Sequence, residues 1–168
     1  DILQQYQVNR INSYFFPEDY PDQTRQQLNS VMAIGGGQLL GKGLNNSTYE
    51  SVKNGNFLSE EQTDFIFAVV GEELGFIGAA LVVALFLLLL LRGMSIAVRA
   101  RDKFGALLVV GFVVQVTLQA ILNMAVVTNT IPNTGISLPF FSSGGTSLLM
   151  LLGEMGIVLS VSRQTDMV

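Results

Sequence analysis

Thirteen apolar residues run without interruption from Ala79 to Leu91. A helix of that stretch is apolar on every face, so it cannot rest one side in water. The run extends back to Leu74, and two more charge-poor runs follow, Phe104 to Thr128 and Gly145 to Ser162. A membrane-spanning helix needs about 20 mostly apolar residues. Each run reaches that length with its mildly polar flanks. Only 13% of the chain is charged, against about 25% in ordinary soluble domains. The pattern predicts an all-α polytopic membrane protein with spans at 74–92, 104–128 and 145–162. A cytoplasmic loop at 93–103, a loop at 129–144 and a tail at 163–168 join or follow them.

The charges orient these spans. Arg92, Arg99, Arg101 and Lys103 cluster after the first span against the single acid Asp102, and Arg163 follows the third. Basic loops stay cytoplasmic, which places residues 1–73 and 129–144 on the extracytoplasmic side. Residues 1–73 carry ten acids and four bases. No basic patch with interleaved aromatics is present, so nucleic acid is not an expected partner. The chain has no His and no Cys, which removes histidine acid–base chemistry and thiolate metal sites. Nothing points to haem or flavin. It begins at Asp1 with no signal core, and reads as part of a longer membrane protein.

The long first segment predicts an extracytoplasmic loop with short helices. Pro17 and Pro21 break its start, and Thr24–Ile34 suits a helix with Leu28, Val31 and Met32 on one face. Gly35, Gly36 and Gly37 would end it. Ser59 to Gln62 has the form of a capping box, so a helix is expected from about Glu60 through Asp64 and Phe67. Gly71 and Gly75 permit a bend before the first span. Phe65 and Phe67 suit the headgroup layer.

Several side chains can carry chemistry. Asp64 combines an early helical position, which favours its charge, with apolar neighbours, which oppose it. It reads either as a base facing an interfacial substrate or as a solvated acid. Glu72 and Glu73 lie closer to the membrane and suit capping or pairing with a base on a helix outside this chain, or a headgroup-level position. Glu154 falls near the middle of the third run, where a charge costs at least about 2.5 kcal/mol unless partnered. It suits a proton or ion relay, or a buried strut. Gln115, Gln119 and Asn123 form one stripe on the second span. They either line a cavity or bond to neighbouring helices. Gly36 to Gly43 nearly matches a phosphate loop but ends in Gly43, where a hydroxyl is needed. Nucleotide binding is rejected, while Lys42 and exposed amides remain able to hold an anion such as a lipid phosphate. The 129–144 loop contains neither acid nor base and is expected to shape and bind.

Taken together, Thr63-Asp64-Phe65-Ile66-Phe67, Gly71-Glu72-Glu73-Leu74-Gly75, Pro132-Asn133-Thr134-Gly135, Leu138-Pro139-Phe140 and Ser143-Gly144-Gly145 resemble the SEDS family of shape, elongation, division and sporulation proteins. Gly41-Lys42-Gly43 and the Gln119…Asn123 pair are similar to it as well. The resemblance covers essentially the whole chain. Many members carry Pro and His where this chain has Ser59 and Gln62, and the loop Asn45–Asn56 is unusual.

The resemblance implies the C-terminal part of a bundle of about ten helices in the bacterial cytoplasmic membrane. It implies a peptidoglycan glycosyltransferase that polymerises lipid II, with undecaprenyl-linked glycan as donor and a class B penicillin-binding protein as partner. Asp64 then corresponds to the family's essential acid, acting as the base on a sugar hydroxyl. Substrate binding is expected from Lys42, Thr63, Gln119 and Asn123, and from Pro132, Thr134, Gly135, Pro139, Ser143 and Gly144 in the second outer loop. Glu72, Glu73 and Glu154 are structural or relay candidates. The departing diphosphate calls for cations, from Lys42, from helices outside this chain, or from a divalent ion, Mg or Mn, as candidate cofactor. Two other functions fit the residues. A lipid II flippase would use the polar stripe and Glu154, and a scaffold activating the penicillin-binding protein would use the Gly-rich first span.

Overall fold

A computed structural model describes residues 5–43, 64–142 and 144–165. It contains five helices in chain order: α1 (Gln5–Phe15), α2 (Pro21–Gly36), α3 (Ile66–Arg99), α4 (Lys103–Val127) and α5 (Gly145–Thr165). Among the described residues there are no strands. Three helices are long and apolar enough to cross a membrane, at Ile66–Arg99, Lys103–Val127 and Gly145–Gln164. The expected spans lie inside them, except that Thr128, the expected end of the second, is the C-cap of its helix.

α3 is not one continuous rod. Gly75 has φ 68° and ψ −164° in the middle of it, a conformation essentially open only to glycine. The break sits at one of the two glycines expected to permit a bend, and the chain stays helical through Gly71. In an unbroken helix, Phe76 and Ile77 would donate to Glu72 and Glu73. Here the turn after α2 takes both sides of those two bonds. Phe76 N donates to Gln38 O at 2.8 Å and Ile77 N to Leu39 O at 3.3 Å, while Lys42 N donates to Glu72 O at 2.9 Å and Gly43 N to Glu73 O at 3.1 Å. Backbone groups near lipid cannot be left unpaired, and this exchange pairs all four. A Cβ on Gly75 would run into Gly41 N and press on Leu39. The remaining stretch, Phe76 to Arg99, extends about 36 Å, enough for a hydrocarbon core of about 30 Å.

The near-phosphate-loop sequence Gly36–Gly43 is therefore a structural plug. Lys42 closes it with a 2.9 Å ion pair to Glu72, whose side chain is only 2% exposed.

α2 corrects one sequence expectation. Pro21 does not interrupt it but opens it at the first turn, where a missing N–H costs nothing. The face Leu28, Val31, Met32 is exposed, Met32 at 62%. The buried face is Gln27, Ser30 and Ala33. Polarity wins inside because this face meets the end of α4, where carbonyls lack helical donors. Gln27 Nε2 donates to Val126 O at 3.3 Å and Ile131 O at 3.0 Å, and Ser30 Oγ to Val127 O at 2.8 Å. α1 follows the same path, with Tyr14 Oη donating to Thr130 O at 3.0 Å.

The expected capping box lies outside the described residues, but Asp64 and Phe65 form a turn and α3 begins at Ile66, with Phe65 as its N-cap. Asp64 thus precedes the helix rather than lying in it. Phe65 and Phe67 are buried instead of facing headgroups, because they join a core with Ala68, Ala120, Val127 and Leu138. A second core of Ala97, Val109, Val113 and Val158 binds the three spans at the opposite end. There Asp102 caps α4 through Gly105 N at 2.7 Å. Apolar side chains along α3, including Leu81, Leu85, Leu88 and Leu91, point outward, as suits a helix in lipid.

Two substitutions test this plug. Gly75→Ala should cost about 1–3 kcal/mol from backbone strain alone, read as a lower Tm in detergent; an unchanged Tm contradicts the break. Lys42→Met should destabilise by about 3 kcal/mol because it strips the cation from a buried acid, and Glu72→Gln added to it should recover most of the loss.

Candidate active site

The site forms where the start of α3 meets the loop after α4. Asn123, fully buried on α4, joins the two. Its Nδ2 donates to Asp64 O at 2.7 Å and to Ile136 O at 2.8 Å. Both acceptors are carbonyls, so the amide orientation is fixed by its partners. One turn earlier, Gln119 Nε2 donates to Ser137 O at 3.2 Å. Two rungs of the polar stripe therefore hold the loop to α4, and Asn123 fixes the backbone of Asp64 as well.

The loop is shaped around Gly135. Its N–H donates to Asn133 Oδ1 at 3.0 Å, a side-chain turn typical of Asn, and its φ is 70°. Leu138 and Pro139 are buried and anchor the far side. Gly135 itself is exposed and Asp64 is half-buried. A Cβ at Gly135 would stand 3.6 Å from Asp64 Oδ2 and 3.0 Å from Arg10 Nη1. The missing side chain lets a guanidinium and a carboxylate lie against this glycine, where a Cβ would press on Arg10.

Arg10 is the functional candidate that sequence reasoning missed. Its only signal was a base within an acidic segment, and α1 reaches the loop only through tertiary contacts. Thr134 is exposed and Pro132 is half-buried in the same loop. Thr63 and Ser143 lie outside the described residues. Gly144 opens the approach to α5, its N–H donating to Ser142 Oγ at 3.3 Å. Lys42 and Glu72 belong to the plug, and Glu73 supplies the carbonyl that receives Gly43 N. Glu154 pairs with Gln115, whose Nε2 lies 3.4 Å from its Oε1, and its buried Oε2 has no partner among the described residues. That pair sits about 12 Å along α4 from Asn123, away from Asp64.

A divalent cation requires several oxygen ligands. Among the described residues no group of three or more acids comes together to hold one. Asp64 is the acid that the described part of the site places beside Gly135.

These features define an all-α membrane protein whose membrane-end carboxylate is held against a glycine-floored loop. The chain matches the cell cycle protein family FTSW_RODA_SPOVE over residues 2–167, and it belongs to that family. It is 45% identical over 159 residues to stage V sporulation protein E of Bacillus subtilis, covering 94% of this chain and 42% of that protein. It is 44% identical over 160 residues to the probable peptidoglycan glycosyltransferase FtsW of Geobacter metallireducens, covering 95% and 42%. The peptidoglycan glycosyltransferase MrdB of Escherichia coli is 36% identical over 167 residues, covering 99% and 44%. The chain thus spans less than half the length of these relatives. A chain of a solved peptidoglycan synthase complex, described as coordinating polymerization and crosslinking, superposes with TM-score 0.73 at 29% identity, covering 97% of this chain and 43% of its own.

Asn123→Ala should leave two carbonyls without their donor and cost about 2 kcal/mol or more. Amides of residues 133–138 should exchange faster with deuterium; unaltered exchange there contradicts the clamp.

Proposed function

We propose that this chain forms the acid-bearing part of a peptidoglycan glycosyltransferase that polymerises lipid II at the outer face of the cytoplasmic membrane. The observation that carries the reading is the placement of Asp64, with its backbone clamped by Asn123 and its carboxylate beside the open surface of Gly135. The bundle end with Asp64 is opposite the basic loop of Arg99, Arg101 and Lys103, which supports an extracytoplasmic site. Two of the relatives bear glycosyltransferase names.

The chemistry needs one base. Asp64 takes the proton from the acceptor sugar's 4-hydroxyl as that oxygen bonds to the anomeric carbon of the lipid-linked donor. The bond from that carbon to the diphosphate breaks, inverting the centre and releasing undecaprenyl diphosphate. The leaving group departs as a stable anion, so the acid that protonates an alkoxide in glycoside hydrolysis is not required. Pro132, Thr134, Gly135 and Gly144 wall the acceptor side in this reading. The polar stripe that favoured a flippase is spent on bonds to Glu154, Ser137, Ile136 and Asp64, which supports the enzyme over a transport path. A class B penicillin-binding protein is the proposed partner, and the outward leucines of α3 offer it an apolar face within the bilayer.

Asp64→Asn in the purified membrane protein should lower lipid II polymerisation by about 10²–10⁴-fold, the range for loss of a general base, with Tm unchanged. Near-normal glycan synthesis would overturn the assignment.

A further inference from the structure

We infer that α2 and the turn after it enter the bilayer tip first, with Leu39 and Leu40 among the acyl chains of the leaflet opposite the basic loop. This placement holds whether or not Asp64 is the base. It follows from the length of α3, the charge along α2, the exposed apolar side chains and the bonding of the turn.

The charge-free part of α3 beyond its break, Phe76 to Leu91, extends about 24 Å. That is about 6 Å short of a hydrocarbon core of about 30 Å. With Arg92 at the boundary it shares with Arg99 and Arg101, the missing length lies at the other end, level with Gly75. The turn after α2 is bonded to the chain at that level, Phe76 N donating to Gln38 O and Ile77 N to Leu39 O. Leu39 therefore shares the depth at which the span begins.

The charges of α2 grade in the same direction. Glu18, Asp19 and Asp22 stand about its start, and no charge follows Arg25 until Lys42, which is paired with Glu72. Leu28, Val31 and Met32 face away from the protein, and Leu39 and Leu40 are exposed in the turn, Leu40 at 80%. Phe76 and Ile77, also exposed, carry this apolar surface onto the outward leucines of α3. An interfacial helix buries its apolar face by about 5–10 Å, which matches the length that α3 lacks. Acyl chains are the occupant this surface fits, since it is continuous with the span and presents no charge for a partner helix to read.

The backbone of the turn is also closed to water's role. Gln38 N donates to Gly35 O at 3.4 Å and Gly41 N to Gly37 O at 2.8 Å, while Lys42 N and Gly43 N donate to Glu72 O and Glu73 O. Water would satisfy such groups without partners in the chain, whereas hydrocarbon would not.

The chain has no Cys, so single nitroxide labels can report the depth directly. Leu40→Cys and Met32→Cys are labelled in the full-length protein, with any cysteine elsewhere changed to Ser, in phosphatidylethanolamine–phosphatidylglycerol vesicles. Leu85→Cys on the span and Asp19→Cys before α2 serve as references. Oxygen concentrates in lipid and a nickel chelate stays in water. At Leu40 oxygen collisions should exceed nickel collisions, as at Leu85, with a smaller excess at Met32 and the reverse at Asp19. Nickel collisions dominating at Leu40 overturn the inference. So does the loss of both, which marks a protein helix covering the turn. Gln38→Cys, exposed in the same turn, carries the label if Leu40→Cys does not fold.

Discussion

The structure depends on a helix that breaks beside the membrane and is repaired by another part of the chain. At Gly75 two helical hydrogen bonds are given up, and the Gln38–Gly43 turn supplies four replacements. Without them, two carbonyls and two amides would face lipid unpaired, each costing several kcal/mol. The repair fastens α2 to α3. α2 in turn lays Gln27 and Ser30 across the end of α4, and α1 follows onto the loop beyond. Asp64, Asn123, Gly135 and Arg10 come from four separate stretches of chain, and this sequence of attachments is what gathers them.

Polar side chains near the membrane are used here as fasteners. Gln27, Ser30, Gln119 and Asn123 each donate to a backbone carbonyl rather than to another side chain. Carbonyls at helix ends and in loops are the groups a bilayer leaves in need of donors. Among the described residues, the side chains nearest a Cβ at Gly135 are a guanidinium and a carboxylate. A general base is the role that an inverting transfer of a sugar from a diphosphate to a hydroxyl demands.

How much of this was legible in the sequence follows from the kind of signal involved. The three spans were, because Ala79–Leu91 and its counterparts are apolar on every face and no tertiary contact can change that. Asp64 and the Pro132–Gly135 stretch were recognisable as motifs. The helix of α2 was legible from the shared face of Leu28, Val31 and Met32, but which face is buried was not, because that depends on the carbonyls at the end of α4 that Gln27 and Ser30 meet. The capping-box pattern Ser59 to Gln62 put Asp64 inside a helix, whereas α3 begins at Ile66; Phe65 and Phe67 were given to the headgroups, yet they fill the core against Leu138. Lys42 looked like an anion ligand because sequence spacing does not reveal that Glu72 is buried beside it. Arg10 was invisible, since nothing local to α1 reports that Tyr14 docks it onto a loop far along the chain.

The central claim is that Asp64, with its backbone clamped by Asn123, is the base at the acceptor sugar. The most direct measurement is an experimental structure of the membrane-embedded protein bound to a non-reactive lipid-linked donor and an acceptor. The account predicts the acceptor hydroxyl within hydrogen-bond reach of the Asp64 carboxylate. An Asp64 carboxylate turned away from the sugar would contradict it.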